Sequence, residues 1–367
     1  MPTLNEEEGI RECIERIQNG TEEFGITTEI IISDSSTDRT PKIAREMGAR
    51  VVEPDKGGYG YAYRYAFERT RGDYIAIGDA DTTYDFEDLP RLLGPVVHGD
   101  ADMVMGSRLE GEIKPGAMPT LHQYIGNPLL TKFLNVFYGA GVSDAHSGFR
   151  VMSRDAWETL DCNTTGMEFA SEMIMEAGAK NLTIEEVPIT YHEREGEATL
   201  ESFRDGWRHV RFMLENAPGY LFSVPAIAMF AAGLLTMGLS LSGVEVSGVT
   251  FGSYTMIAGS LFTIASYQLG SLALFSAVAA DPIQEPQDPL TIWVLDNFQL
   301  EHGAMLGVVI LSGGMLHTGY LTANWMTSGF TELPVIATNL VAFTALVLGI
   351  QTIFYSFFLS IIADKKG

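Results

Sequence analysis

Basic residues are scarce in this chain of 367 residues, and they are unevenly distributed. Lys and Arg number 23 against 47 Asp and Glu, and only two of the 23 lie beyond residue 218. The first 218 residues hold 39 of the acids and 21 of the bases, and so carry a net charge of −18. Such a surface repels a nucleic acid backbone, so no nucleic acid partner is expected. A solvated acidic coat also indicates adaptation to high salt, where screening weakens the self-repulsion.

Cysteine is nearly absent as well. The only two cysteines, Cys13 and Cys162, are too few for a disulfide framework or a cysteine-based metal site. Both stand among periodic apolar residues, which predicts that they are core residues of a protein in a reducing compartment.

Charged residues are missing from four long stretches in the second part of the chain. These stretches are 216–244, 246–280, 303–331 and 333–363. Each exceeds the roughly 20 residues that a helix needs to cross the hydrocarbon core. The sequence therefore predicts four membrane spans, at about residues 220–242, 254–280, 304–325 and 335–362. The basic residues that flank them (Arg204, Arg208, Arg211, Lys365 and Lys366) place both the first domain and the C-terminus in the cytoplasm.

Polar turns separate apolar runs from helical patterns in the first 200 residues. This alternation predicts an α/β domain with a mostly parallel, Rossmann-like sheet. Asn5 is predicted to cap the first helix. A parallel strand is expected just before Pro2 and is not visible, so we expect it to begin upstream. We divide the chain into an α/β domain (1–200), an amphipathic helix lying on the membrane surface (201–218) and a membrane domain (219–367). A plain surface helix of the first domain is the alternative for residues 201–218.

Two carboxylates one residue apart follow the apolar run Tyr74–Ile77. In an extended chain, Asp79 and Asp81 point to the same side. Oxygen ligands so placed suit Mg²⁺ or Mn²⁺, which usually also keeps waters and substrate phosphates. A solvated acidic turn is the alternative for the triplet alone. Asp34 and Lys56 also follow predicted strands. Because ligands of such sheets bind beyond the carboxyl ends of the strands, we expect these two residues to lie in one crevice with Asp79 and Asp81.

Six motifs, in one order along residues 1–205, resemble those of the family 2 glycosyltransferases of GT-A fold. Within that family they are most similar to the dolichyl-phosphate mannose and glucose synthases. The motifs are P-T-L-N-E (2–6), S-D-S-S-T-D-R-T (33–40), G-D-A-D (78–81), G-S-R (106–108), S-D-A-H-S-G-F-R (143–150) and H-E-R-E-G-E (192–197). The four spans resemble the membrane domain of archaeal-type members, and the acidic composition suggests a haloarchaeal one.

The resemblance implies roles for individual residues. It implies that Asp79 and Asp81 hold the metal and that Arg194 contacts the donor phosphates. It implies that Arg108, Ser147 and Arg150 bind a lipid phosphate, and that the catalytic set is Asp79, Asp81, Arg108, Arg150 and Arg194. The residues that it implies for the nucleotide sugar are Pro2, Asn5, Glu6, Asp34, Lys56, Gly57, Asp79, Ala80 and Asp81.

The implied reaction is the inverting transfer of a hexose from UDP-glucose or GDP-mannose to dolichyl or polyprenyl phosphate at the cytoplasmic membrane face. The product would be a lipid-linked sugar donor for protein glycosylation or surface glycans. A lipid phosphate is already anionic at neutral pH, so no strong general base is needed. The reaction instead requires electrostatic stabilisation, because the leaving diphosphate and the lipid phosphate must be held near each other. Arginines suit this task.

Two departures from the pattern leave the hexose open. Thr83 stands where many mannose synthases have glutamine, and Thr199 stands where the loop usually has lysine. A processive polysaccharide synthase is one alternative, although its Q-x-x-R-W motif is not found. A non-catalytic sugar-lipid carrier or scaffold is another, and the intact Asp79 and Asp81 argue against it. Homo-oligomer formation stays open.

Overall fold

The computed structural model describes residues 1–195, 202–246, 248–280, 282–283, 289–297, 300–331 and 336–363. The chain divides into two compact units, Met1–Met213 and Leu214–Gly367. The first is an α/β unit and the second contains four long apolar helices, which confirms the predicted fold class.

Two sheets form the centre of the first unit. One is fully parallel, in the order β1-β2-β3, and the other is mixed, in the order β4-β6-β5-β7. An apolar cavity of about 410 Å³ lies between β2 and β4. The strands are β1 (Pro2–Thr3), β2 (Ile31–Asp34), β3 (Arg50–Val52), β4 (Tyr74–Ile77), β5 (Met103–Ile113), β6 (Arg150–Ser153) and β7 (Ile184–Tyr191).

Helix α1 connects the cores of the two sheets because its apolar residues recur at helical spacing. Ile14 packs in a cluster with Ile32 of β2, and Ile17 packs in a second cluster with Val151 of β6. Cys13 and Cys162 are buried and free, as predicted. The helices of this unit are α1 (Ile10–Glu23), α2 (Thr40–Glu46), α3 (Tyr59–Phe67), α4 (Leu89–His98), α5 (Asn127–Tyr138), α6 (Arg154–Thr159), α7 (Phe169–Ala179) and α8 (Ser202–Glu215), with a π-helical turn at His122–Gly126 before α5.

The N-terminal segment differs from the prediction. Pro2 and Thr3 pair in parallel with Ser33 and Asp34, although no strand was expected there. Asn5 does not cap α1, which begins only at Ile10. Instead Asn5 has a positive φ of 59°, and its side-chain oxygen accepts a hydrogen bond from the Thr37 backbone N–H at 2.9 Å.

Among the described residues of the second unit, four helices are long and apolar enough to cross a membrane: Gly219–Ser242, Ser253–Ala279, Leu300–Thr327 and Ile336–Ala363. Small and hydroxylated residues lie where these helices meet. Ser260 and Thr344 share a hydrogen bond of 2.6 Å, and the Tyr267 hydroxyl donates to Thr352 at 2.7 Å. Such pairs satisfy polar groups that lipid could not. The elements of this unit are α9 (Val224–Ser242), α10 (Ser253–Ala280), α11 (Pro289–Asn297), α12 (Leu300–Thr327), α13 (Ile336–Ala363) and a short hairpin of β8 (Glu245–Val246) and β9 (Val249–Thr250).

Candidate functional site

Three carboxylates and one guanidinium gather where β4 ends. Asp79 accepts a hydrogen bond from the Tyr59 hydroxyl at 2.9 Å. Arg194 donates to Glu6 at 2.7 Å, and its other terminal nitrogen lies 3.7 Å from a carboxylate oxygen of Asp81. The predicted metal-binding carboxylates and the predicted phosphate-binding arginine therefore lie together, and Glu6 joins them.

Backbone hydrogen bonds hold the loop after β7 against the loop after β4. The His192 N–H donates to the Thr83 carbonyl at 2.9 Å, and the Glu195 N–H donates to the Asp81 carbonyl at 3.2 Å. This pairing brings Arg194 to Asp81 across more than a hundred residues of sequence. Thr83 also orients Asp81 directly, because its hydroxyl donates to the Asp81 carboxylate at 2.6 Å.

The cluster carries more negative charge than its one arginine neutralises. Burial raises the pKa of Asp79 to about 6, and the nearby Asp81 charge adds to this shift. Burial also raises the pKa of Glu6 to about 7, with Arg194 opposing the shift and both aspartates adding to it. Raised carboxylate pKa values of this kind mark a place where a cation or a proton stabilises the site.

Arg108 forms a buried ion pair with Asp144 and not with the carboxylate cluster. Its Nε and Nη2 atoms lie 2.7 and 2.8 Å from the two oxygens of Asp144, and its backbone N–H donates to the same carboxylate at 3.0 Å. Burial lowers the pKa of Arg108, but Asp144 together with Tyr84 and Tyr191 outweighs this effect, so the pKa lies above its usual range. The Asp144 N–H in turn donates to Glu186 at 3.0 Å. Arg108 is thus engaged in fixing the loop at 143–150.

Arg150 is fully buried, and all three of its guanidinium nitrogens donate to backbone carbonyls. The acceptors are Ser147, Ala170 and Ala145, at 2.9, 2.8 and 3.0 Å. The prediction that Arg150 contacts a lipid phosphate does not fit this placement, because the side chain is fully buried and each of its three nitrogens donates to a backbone carbonyl. The sequence around Arg150 could not reveal that backbone carbonyls enclose its guanidinium, since these carbonyls belong to a loop and a helix that only the fold brings together. Ser147, from the same prediction, has a buried hydroxyl for which the described residues offer no hydrogen-bond partner.

The residues predicted to hold the nucleotide lie at the ends of β1, β2 and β4, with the glycine-rich turn beside them. Asp34 is buried and accepts a hydrogen bond from the Thr3 hydroxyl at 2.7 Å. Lys56 and Gly57 are exposed in the turn before α3, where the Lys56 amine lies 5.6 Å from the centre of the Tyr61 ring. Thr199, the other departure noted in the sequence, lies outside the described residues.

Known proteins resemble this chain over both of its units. The family model "Glycosyl transferase family 2" matches residues 1–161, and "Glycosyltransferase family 2 C-terminal transmembrane region" matches residues 272–363. The low-salt glycan biosynthesis hexosyltransferase Agl6 of Haloferax volcanii is 62% identical over 364 residues, which cover 99% of this chain and 88% of that protein. The chain belongs to glycosyltransferase family 2.

Two further relatives match a little more than half of the glycosyltransferase. The dolichyl-phosphate hexose transferase of Haloferax volcanii is 35% identical over 212 residues, covering 56% of this chain and 87% of that protein. The polyprenol monophosphomannose synthase of Mycolicibacterium smegmatis is 30% identical over 215 residues, covering 53% and 77%. With the four apolar helices and the matching transmembrane region, the glycosyltransferase is a multi-pass membrane protein.

The donor set at the end of β4 fits a divalent cation whose shell is completed by a diphosphate. Asp79 and Asp81 supply hard oxygen ligands, and burial, with the Asp81 charge adding to it, raises the pKa of Asp79. The described residues contain no group of three His, Cys, Asp or Glu that could hold a metal alone. A cation at this site would therefore depend on substrate oxygens, as Mg²⁺ usually does.

Two residues that position Asp79 in this glycosyltransferase were not predicted from the sequence. Tyr59 donates a hydrogen bond to it from the start of α3, and its place in the run K-G-G-Y-G was the available signal. Gly148 packs against it so closely that an added Cβ would lie 2.7 Å from a carboxylate oxygen of Asp79. Its neighbour Tyr84 accepts the Gly148 N–H at 2.7 Å.

Proposed function

We propose that this glycosyltransferase transfers a hexose from a nucleotide diphosphate sugar to a polyprenyl phosphate, with dolichyl phosphate as the expected acceptor and inversion at the anomeric carbon. The observation that carries the proposal is the cluster of Asp79, Asp81, Glu6 and Arg194 at the end of β4 in a multi-pass membrane protein. The relatives add support, since one is named for a hexose, one for dolichyl phosphate and one for a polyprenol product.

The acceptor phosphate is already an anion at neutral pH, so it needs no general base. One of its oxygens attacks the anomeric carbon opposite the leaving group. The new carbon–oxygen bond forms as the bond to the nucleotide diphosphate breaks, and the nucleoside diphosphate departs with the electron pair. The result is one sugar joined to the lipid phosphate.

The leaving diphosphate sets the main electrostatic demand on the protein. Mg²⁺ or Mn²⁺ held by Asp79 and Asp81 would neutralise part of the developing charge. Arg194 lies 3.7 Å from Asp81, within reach of the same phosphates, and its ion pair with Glu6 holds the guanidinium in place. Removal of an electrostatic partner of this kind costs roughly 100-fold or more in rate.

Arg108 and Arg150 have a positioning role in this proposal. Their guanidinium groups fix the loop at 143–150 through Asp144 and through backbone carbonyls. Ser147, whose buried hydroxyl has no described partner, remains the proposed contact of that loop for the lipid phosphate. The α/β unit and the C-terminus are proposed to face the cytoplasm, because the basic residues flank the spans on that side.

The test uses the full-length protein in lipid nanodiscs at high KCl, with dolichyl phosphate and a panel of labelled UDP- and GDP-hexoses. We expect one donor to yield a lipid phosphate that carries a single sugar, with activity lost in EDTA and restored by Mg²⁺ or Mn²⁺. A polymeric product would indicate a processive synthase, and no transfer from any donor would favour a scaffold.

The matched variants are Asp81→Asn at the site and Asp88→Asn in a surface ion pair with Arg91. The first should lose roughly 100-fold or more of the transfer rate, and the second should keep it. Unchanged transfer in Asp81→Asn would contradict the proposed metal site.

A further inference from the structure

Glu172 on α7 is a buried carboxylate that does not belong to the cluster at the end of β4. The residue is 4% exposed, and it accepts hydrogen bonds from the Asn163 N–H at 2.9 Å, from the Thr164 N–H at 3.0 Å and from the Thr164 hydroxyl. These donors lie between α6 and α7, in residues 161–166, which we name the 161–166 loop. A carboxylate is costly to bury unless it is hydrogen-bonded, and hydrogen bonds to a charged acceptor are about twice as strong as neutral ones. Glu172 therefore anchors the 161–166 loop to α7.

The same loop binds the start of α3. The Gly60 N–H donates to the Gly166 carbonyl and the Tyr61 N–H donates to the Thr165 carbonyl, each at 3.2 Å. The first N–H groups of a helix have no partner within the helix, so the loop satisfies two of them. Gly58 permits this close approach, because an added Cβ would lie 2.3 Å from the Thr165 carbonyl oxygen. The 161–166 loop therefore fixes the position of the first turn of α3.

The first turn of α3 in turn holds the segment that carries the carboxylate pair. Tyr59, the first residue of α3, donates its hydroxyl to Asp79 at 2.9 Å. One turn later, the buried Tyr63 hydroxyl donates to the carbonyl of Gly78, the residue before Asp79, at 3.2 Å. The two tyrosine rings contact each other edge to face, with their centres 5.0 Å apart. A shift of the start of α3 would therefore move the group that orients Asp79.

We propose that Glu172 is a positioning residue for the donor side of the transfer reaction, an inference that rests on the proposed function. It anchors the 161–166 loop, the loop fixes the start of α3, and Tyr59 of α3 orients Asp79 for the divalent cation and the donor diphosphate. Displacement of a catalytic group by about 1 Å can lower a rate roughly 100-fold, so this connection affects the reaction although Glu172 acts only through Tyr59.

The test variant is Glu172→Met, because a methionine of similar length offers the loop no carboxylate. The matched control is Glu176→Met. Glu176 lies one turn further along α7, is 6% exposed and accepts a hydrogen bond from the Asp161 N–H at 3.2 Å. Asp161 lies at the end of the loop opposite to the two carbonyls that bind α3. Gly60→Ala disturbs the same contact from the α3 side, since an added Cβ would lie 2.6 Å from the Thr164 carbonyl oxygen.

The first readout is hydrogen exchange of the full-length protein in nanodiscs, without metal or nucleotide. Glu172→Met should speed exchange at the Gly60 and Tyr61 amides roughly tenfold, as expected when hydrogen bonds to a charged group are lost, and Glu176→Met should not. Unchanged exchange in Glu172→Met would overturn the inference. If exchange rises throughout the α/β unit, that variant has unfolded, and unchanged exchange at Tyr61 in Gly60→Ala would then overturn the inference. Because this readout needs no transfer activity, it separates failure of the inference from failure of the proposed function.

The second readout is the Mn²⁺ concentration that gives half-maximal transfer. It should rise several-fold in Glu172→Met, with the KM for dolichyl phosphate unchanged, and stay at the wild-type value in Glu176→Met. A merely structural role would lower kcat through the folded fraction and leave the Mn²⁺ requirement unchanged, and that result would overturn the inference. Adding Glu172→Met to Tyr59→Phe should not raise the requirement further, because the two residues act in series. Fully additive effects would show that Glu172 does not act through Tyr59.

Discussion

The buried ion pair between Arg108 and Asp144 yields the sharpest prediction. The side chain of Asp144 is fully buried and that of Arg108 is 8% exposed, so neither charge is solvated by water. Asp144→Asn would leave the guanidinium buried without a counter-charge. Breaking a buried pair in this way costs about 3–5 kcal/mol. For a unit of this size each kcal/mol lowers the unfolding midpoint by about 2–4 °C, so the expected drop is roughly 6–20 °C.

Two control variants test whether the stability loss comes from leaving a buried charge unpaired or from removing any ion pair. Asp88→Asn removes an ion pair with Arg91, whose side chain is 53% exposed, and should cost less than about 1 kcal/mol. The double variant Arg108→Met/Asp144→Leu should be less destabilised than Asp144→Asn, because it leaves no unpaired charge behind.

The assay is limited proteolysis of the full-length protein in nanodiscs at rising temperature, followed through the loss of the intact α/β unit. This readout does not require the two units to unfold together. If Asp144→Asn and Asp88→Asn shift the midpoint equally, the buried pair does not stabilise this loop and the reasoning fails. If the double variant is the least stable of all, the unpaired charge of Arg108 is not the cause of the stability loss in Asp144→Asn.

Two further predictions concern the same loop. Burial lowers the pKa of His146 from 6.5 to about 3, and the neighbouring His209 adds to the shift. Between pH 6.5 and 3 the imidazole is therefore protonated only in the unfolded chain. Stability should therefore fall as the pH drops from 6.5 towards 3, and His146→Phe should flatten the midpoint-versus-pH curve; parallel curves would refute this assignment. Gly148→Ala would place a Cβ against Asp79 and should lower the transfer rate at least about tenfold, as displaced catalytic groups do, whereas Gly94→Ala, with open space around it, should not. Equal rates in these two variants would show that Gly148 does not position Asp79.

The order of elements could be predicted because local composition encodes it. Stretches without charge predicted the four apolar helices, and alternating apolar runs and turns predicted the parallel α/β unit. The Asp-Ala-Asp triplet after an apolar run predicted the carboxylate pair at a strand end. These signals lie within a few residues of one another, so no knowledge of distant contacts was needed to interpret them.

The sequence could not reveal how the arginines are used. Arg108 and Arg150 were predicted to bind the lipid phosphate and Arg194 the donor phosphates, since each stands in one of the family's motifs. The partners of Arg150 are carbonyls from a loop and a helix, and Arg108 meets a carboxylate 36 residues away. A guanidinium binds whichever acceptor the fold places beside it, so its role depends on long-range geometry.

The sequence by itself determined that this chain has an acidic α/β unit, four apolar helices and a carboxylate pair after a buried strand. The tertiary structure decided which charges meet. It paired Arg194 with Glu6 across 188 residues and enclosed Arg150. It also left Leu129 of α5 exposed, because the packing of Leu134 and Tyr138 determines which side of this helix faces outward. Composition and periodicity are local properties of the chain, whereas charge pairing and exposure depend on which distant segments the fold brings together.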